Sequence, residues 1–144
     1  MKPSKTFFIS AGSNVEPQKN VPACLEILKK KFRVKAVSSI YETEPVSMTS
    51  DSKFWNLALA IESDLNPAEL KKELRAIETS LGRVRDPKNK FAPRTIDLDL
   101  LPQPDYQKLS FVIVPLAEIA PREVDLESGK TFAELAQEPP LNKK

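Results

Sequence analysis

Residues 54–62 read FWNLALAIE, and their alternation sets the architecture. Successive side chains of a strand point to opposite sides, so Trp55, Leu57, Leu59 and Ile61 share one face while Phe54, Asn56, Ala58 and Ala60 share the other. The first face is wholly apolar and asks for helices to cover it. The second sets an aromatic ring and an amide beside small residues, which leaves room for something flat.

Working outward, Asn66-Pro67-Ala68-Glu69 opens a helix, with Asn as N-cap, Pro at the first position and Glu at the third. Leu70, Leu74, Ile77 and Leu81 then follow down one face, and Gly82 ends the helix. Residues 94–101, RTIDLDLL, alternate again: Ile96, Leu98 and Leu100 on one side, Thr95, Asp97 and Asp99 on the other.

Upstream, TFFISA at residues 6–11 reads as a buried strand that stops at the Gly12-Ser13-Asn14 turn. Residues 18–31 carry Val21, Cys24, Leu25 and Leu28 at helical spacing, with Pro22 expected in the first turn and Lys29 to Lys31 suiting the C-terminal end. Residues 33–41, RVKAVSSIY, predict a second strand, and ETEPVSMTSDSK a long loop of the kind that is often functional. Downstream, FVIVP at residues 111–115 predicts a short strand, LAEIAP a helical turn and TFAELA a short helix.

The order β, α, β, β, α, β followed by a further strand predicts an α+β, ferredoxin-like sandwich, with two helices on one side of an antiparallel sheet and the other face free. Residues 1–138 read as a single domain and 139–144 as a polar tail. The 144 residues, 40% apolar, suffice for one real core.

Composition narrows the chemistry. Histidine is absent and Cys24 is the only cysteine, which removes intramolecular disulfides, Cys/His zinc sites and every histidine-activated nucleophile. Cys24 reads as a core residue. Three glycines, at 12, 82 and 129, cannot write a P-loop or a GxGxxG turn. A formal charge of +2 and a pI near 8.6 give no general affinity for nucleic acid or membrane. No apolar run approaches the roughly 20 residues of a membrane span, and a cytoplasmic protein is the expectation.

In isolation, Asp97 and Asp99 read more simply as a solvated strand face than as a site. Their neighbourhood argues otherwise. Arg83, Arg85, Lys88, Lys90 and Arg94 stand between residues 83 and 94 against one acid, Asp86, a local charge of +4 leading into the aspartate strand. Cations beside paired carboxylates suit a magnesium polyphosphate, because hard oxygens hold the metal while guanidinium and ammonium groups neutralise phosphate.

In order, GSN, SSIYETEP, FWNLALAIE, IETSLGRVR, PRTIDLDLL and FVIVPLAEIAP resemble the 6-hydroxymethyl-7,8-dihydropterin pyrophosphokinases of folate biosynthesis over most of residues 6–121. The resemblance implies transfer of diphosphate from ATP to the pterin hydroxymethyl group, with release of AMP and two Mg2+ ions held by Asp97 and Asp99. It implies that Arg83 and Arg94 are the phosphate-binding arginines of a catalytic loop. Arg85, Lys90, Glu78 and Gln103 would lie on the nucleotide side. The pterin would stack between Phe54 and Phe111, with Asn56, Thr43, Pro45 and Val46 along its amide-like edge and Phe91 closing over it. Pterin and ATP are then the partners, with neither nucleic acid nor membrane.

The resemblance departs after IDLDL. Roughly a dozen residues of a hairpin on the family's ATP side are absent, and Gln103 stands where a histidine is expected. Glu44 and Ser47 also replace the Pro and Gly usual in the pterin loop. A degenerate pterin-binding paralogue, a variant with another donor or pterin, and a plain interaction or nucleic-acid domain are the competing readings.

Overall fold

A computed structural model describes residues 4–43, 54–82 and 95–137. Five strands form one antiparallel sheet: β1 (Lys5–Ser13), β2 (Arg33–Val37), β3 (Tyr41–Thr43), β4 (Phe54–Ser63) and β5 (Asp97–Leu100). The order across the sheet is β2-β4-β1-β5, and β3 continues along β4 beyond β2. Helix α1 (Pro17–Lys31) joins β1 to β2, and α2 (Pro67–Ser80) joins β4 to the segment before β5. This is the split βαβ arrangement that the sequence predicts.

The two faces of β4 divide as its alternation requires. Leu57, Leu59 and Ile61 pack with Ile9, Ala11, Leu98 and Leu100 from neighbouring strands and with Val21, Cys24, Leu28, Leu70, Leu74 and Ile77 from the helices. Burial holds the Cys24 thiol well above its usual pKa, as its core position demands. Helix α2 starts at a complete capping box: Asn66 Oδ1 accepts from Glu69 N at 2.8 Å, and Glu69 Oε1 accepts from Asn66 N at 3.0 Å. It closes at Leu81, and Gly82 takes φ +88°, which a residue with a side chain rarely adopts.

Several boundaries differ from the sequence expectation. β1 runs through Gly12 and Ser13 instead of turning there, because both pair with β4. Helix α1 begins at Pro17, so Pro17 and not Pro22 takes the first turn and Pro22 lies in the interior. The expected strand over 33–41 is two strands, separated at Ser38–Ile40, and the loop at 44–53 lies outside the described residues.

The largest correction concerns FVIVP. Residues 111–115 are not a strand but the first half of helix α3 (Ser110–Ile119). Its buried residues are Val112, Ile113, Pro115 and Leu116, which recur at helical spacing; the β-branched composition of a short apolar run disguises the period. With helix α4 (Phe132–Gln137), α3 packs on the second sheet face, where Ala58, Tyr106, Val112, Ile113, Leu116, Phe132 and Leu135 form a smaller core. That face is therefore only partly free. Asn56, Gly12 and Asp97, at one end of that face, are not part of this second core. No helix among the described residues is long and apolar enough to cross a membrane.

Candidate active site

Register brings the chemistry together. Gly12 of β1 pairs with Asn56 of β4 on one side and Asp97 of β5 on the other, and Tyr41 of β3 pairs with Asn56. Tyr41, Asn56, Gly12 and Asp97 thus form one rung across four strands. The next rung is Ala58, Ser10 and Asp99. Cross-strand partners point to the same side, so the amide and both carboxylates share the face opposite α1 and α2.

Phe54 and Thr43 pair directly and stand on this face as well. Asn56 is buried, and its Nδ2 donates to Thr43 Oγ1 at 2.7 Å, which fixes the amide. A Cβ placed on Gly12 would come within 3.1 Å of Asn56 Oδ1 and 3.8 Å of Phe54 Cδ1. A glycine in a strand interior signals this kind of close approach. Phe111 is half-buried in the first turn of α3 and packs against the second core.

Asp97 and Asp99 are half-buried two residues apart, roughly 7 Å along the strand. Burial, then the Asp97 charge, pushes the Asp99 carboxyl up to about 6, while a hydrogen bond from the Gln103 side chain and the Arg75 charge pull the other way. Two carboxylates forced together in this way are eased by a cation. Among the described residues no cluster of three or more His, Cys, Asp and Glu side chains could hold a metal. A pair suits magnesium, which is usually held by one or two carboxylates with substrate phosphates completing its shell, better than a metal needing an all-protein cage.

Glu78 lies on α2 with its side chain 2% exposed. Its Oε2 accepts the Leu98 backbone N–H at 2.7 Å, and Arg75 Nη1 lies 3.2 Å from both of its oxygens. It therefore reaches β5 from the helix side. Arg83, Arg85, Lys90, Phe91, Arg94, Pro45 and Val46, together with Glu44 and Ser47, lie outside the described residues.

Sequence reasoning overlooked four contributors. Gly12, a turn residue by sequence pattern, is the centre of the rung. Ser10 pairs with Asp99, and Arg75 clamps Glu78. Glu118 of α3 accepts Tyr41 Oη at 2.6 Å and both the N–H and hydroxyl of Ser39 at 2.9 Å, tying α3 to the approach of β3. Only the glycine had a local signal, its place at the end of an apolar run in a chain with three glycines.

The chain is similar to known proteins over most of its length. Residues 8–121 match the family model for 7,8-dihydro-6-hydroxymethylpterin-pyrophosphokinase. Proteins named 2-amino-4-hydroxy-6-hydroxymethyldihydropteridine pyrophosphokinase are similar along nearly their whole length. The one from Pseudomonas aeruginosa is 33% identical, covering 89% of this chain and 88% of its own, and the one from Bacillus subtilis is 35% identical, covering 91% and 86%. That of Haemophilus influenzae is 31% identical, covering 92% of each. These alignments span 145, 148 and 150 positions, more than the 144 residues here, so the relatives carry residues within the matched region that this chain lacks. With most of its length matched by the family model and by these relatives, the chain belongs to the 7,8-dihydro-6-hydroxymethylpterin-pyrophosphokinase family.

Proposed function

We propose that this protein transfers the terminal diphosphate of ATP to the hydroxymethyl group of 6-hydroxymethyl-7,8-dihydropterin in folate biosynthesis, using magnesium at Asp97 and Asp99. The observation that carries this reading is the rung from Asn56 through Gly12 to Asp97. Two strand spacings separate the amide from the carboxylate, about 10 Å. A two-ring heterocycle with a one-carbon arm spans that distance, so a ring held at Asn56 presents its hydroxyl near the carboxylate pair.

Each side chain then has a task. Phe54 and Phe111 supply flat apolar surface to the ring, and Asn56, Thr43, Pro45 and Val46 its polar edge. Asp97 and Asp99 would hold two Mg2+ ions, which when bound would supply charge neutralisation on the phosphates and activation of the hydroxyl. The hydroxyl oxygen bonds to the β-phosphorus, the bond from that phosphorus to the α-phosphate bridging oxygen breaks, AMP leaves with that oxygen, and the hydroxyl proton passes to solvent water. Arg83 and Arg94 balance charge on the transferred group, with Arg85, Lys90, Glu78 and Gln103 on the nucleotide side and Phe91 over the ring. Such a transfer depends on positioning and electrostatics more than on covalent catalysis, so a chain without histidine is adequate to it.

Equilibrium binding tests the proposal. The pterin and Mg-ATP should each bind, and Asp97→Asn should weaken Mg-ATP more than pterin. Pterin binding with no Mg-ATP binding would replace it with a degenerate pterin-binding paralogue.

A further inference from the structure

We infer that Glu118 is a positioning residue for the ring site: it holds β3 against α3, so that Thr43 can fix the Asn56 amide. The inference rests on the reading of Asn56 as a ring-binding group given above.

Strand β3 has little hold of its own. It is three residues long and, among the described residues, pairs with β4 alone. The chain before it stays on β4 through Ser38, whose N–H donates to Ala58 O at 2.9 Å and whose Oγ accepts the Ala58 N–H at 2.8 Å. The next hold comes from a helix. Glu118 Oε2 accepts both the N–H and the hydroxyl of Ser39 at 2.9 Å, and Oε1 accepts Tyr41 Oη at 2.6 Å. Three donors from two alternate residues thus converge on one carboxylate. The Tyr41 hydrogen bond, then that of the Ser39 backbone, keep this carboxyl below its usual range, so it is charged at neutral pH.

Thr43 follows Tyr41 at the same alternation. Tyr41 pairs with Asn56 and Thr43 with Phe54, and Thr43 Oγ1 accepts Asn56 Nδ2 at 2.7 Å. A shift of β3 therefore moves the oxygen that orients the amide. On the helix, Glu118 stands seven residues after Phe111, two turns along the same flank of α3 and about 10 Å away. One carboxylate ties the helix that carries Phe111 to the strand that orients Asn56, the two sides between which the ring is placed.

The test measures pterin affinity by fluorescence titration, Mg-ATP affinity by calorimetry, and exchange of the Asn56 side-chain amide protons by NMR. In Glu118→Ala those protons should exchange faster and pterin affinity should fall about fivefold, what one hydrogen bond is worth, while Mg-ATP affinity changes by less than about twofold. Glu118→Gln keeps one accepting oxygen and should recover part of the loss. Tyr41→Phe should weaken pterin binding in the same direction and add nothing to Glu118→Ala, because the two act through one contact. It carries the test if the alanine variant does not fold, and unchanged pterin affinity in it would then overturn the inference. Faster Asn56 exchange with unchanged pterin affinity would overturn it as well and leave Glu118 a brace on the sheet edge. Equal loss of pterin and Mg-ATP would overturn it too, as general damage. A parent protein that binds no pterin, although Glu118 still slows Asn56 exchange, would instead overturn the reading of Asn56 itself.

Discussion

Gly12 faces Asn56 so closely that a Cβ on the glycine would lie 3.1 Å from the amide Oδ1. The glycine has no positive φ, so its backbone accepts alanine and only the amide must yield. Gly12→Ala should therefore weaken pterin binding about tenfold by displacing Asn56, with little change in thermal stability. Fluorescence titration with the pterin and a melting curve check both halves; unchanged affinity would show that the amide is not a binding group.

The two carboxylates are half-buried side by side, a placement that costs stability when no cation is present. Asp99→Asn should raise the melting temperature in magnesium-free buffer at neutral pH by roughly 3 to 6 °C, and should lower kcat by about a thousandfold or more. Loss of both stability and activity would mean that Asp99 is structural.

Much of this was legible in the sequence, because alternation is a local property. FWNLALAIE and RTIDLDLL assign their faces without knowledge of their partners, and the capping box at Asn66 and Glu69 marks α2 unaided. What escaped was non-local. Gly12 acquires its meaning from Asn56 and Asp97, and the Glu78 contact with Leu98 joins residues 20 apart through a helix and a segment outside the described residues. FVIVP misled because its β-branched residues favour a strand, while packing against Ala58 and Tyr106 makes a helix the better burial.

Acid should loosen the second core. Burial works against ionised Asp125, but the side-chain hydrogen bonds from Ser128 and Tyr106 win, and its folded pKa lies below the usual carboxylate value. A depressed acid contributes stability that is present above its unfolded pKa and is lost as pH falls through the folded one. Tyr106 Oη donates to Asp125 Oδ1 at 2.8 Å in a buried setting. Tyr106→Phe should cost about 1–2 kcal/mol near pH 7 and proportionately less at pH 3, read from denaturant curves at the two values. An equal cost at both would assign the loss to packing alone.

Gln103 hydrogen-bonds Asp99 and carries no charge of its own. Gln103→His should lower the KM for Mg-ATP severalfold at pH 6, where the imidazole is largely protonated, and less at pH 8. A KM that is unchanged at both values would show that residue 103 does not meet the nucleotide.

The central claim is tested most directly by incubating the protein with Mg-ATP and 6-hydroxymethyl-7,8-dihydropterin and separating the products. The account predicts AMP and the pterin diphosphate in equal amounts, with both lost in Asp97→Ala. No AMP, or ADP with a pterin monophosphate in its place, would contradict it.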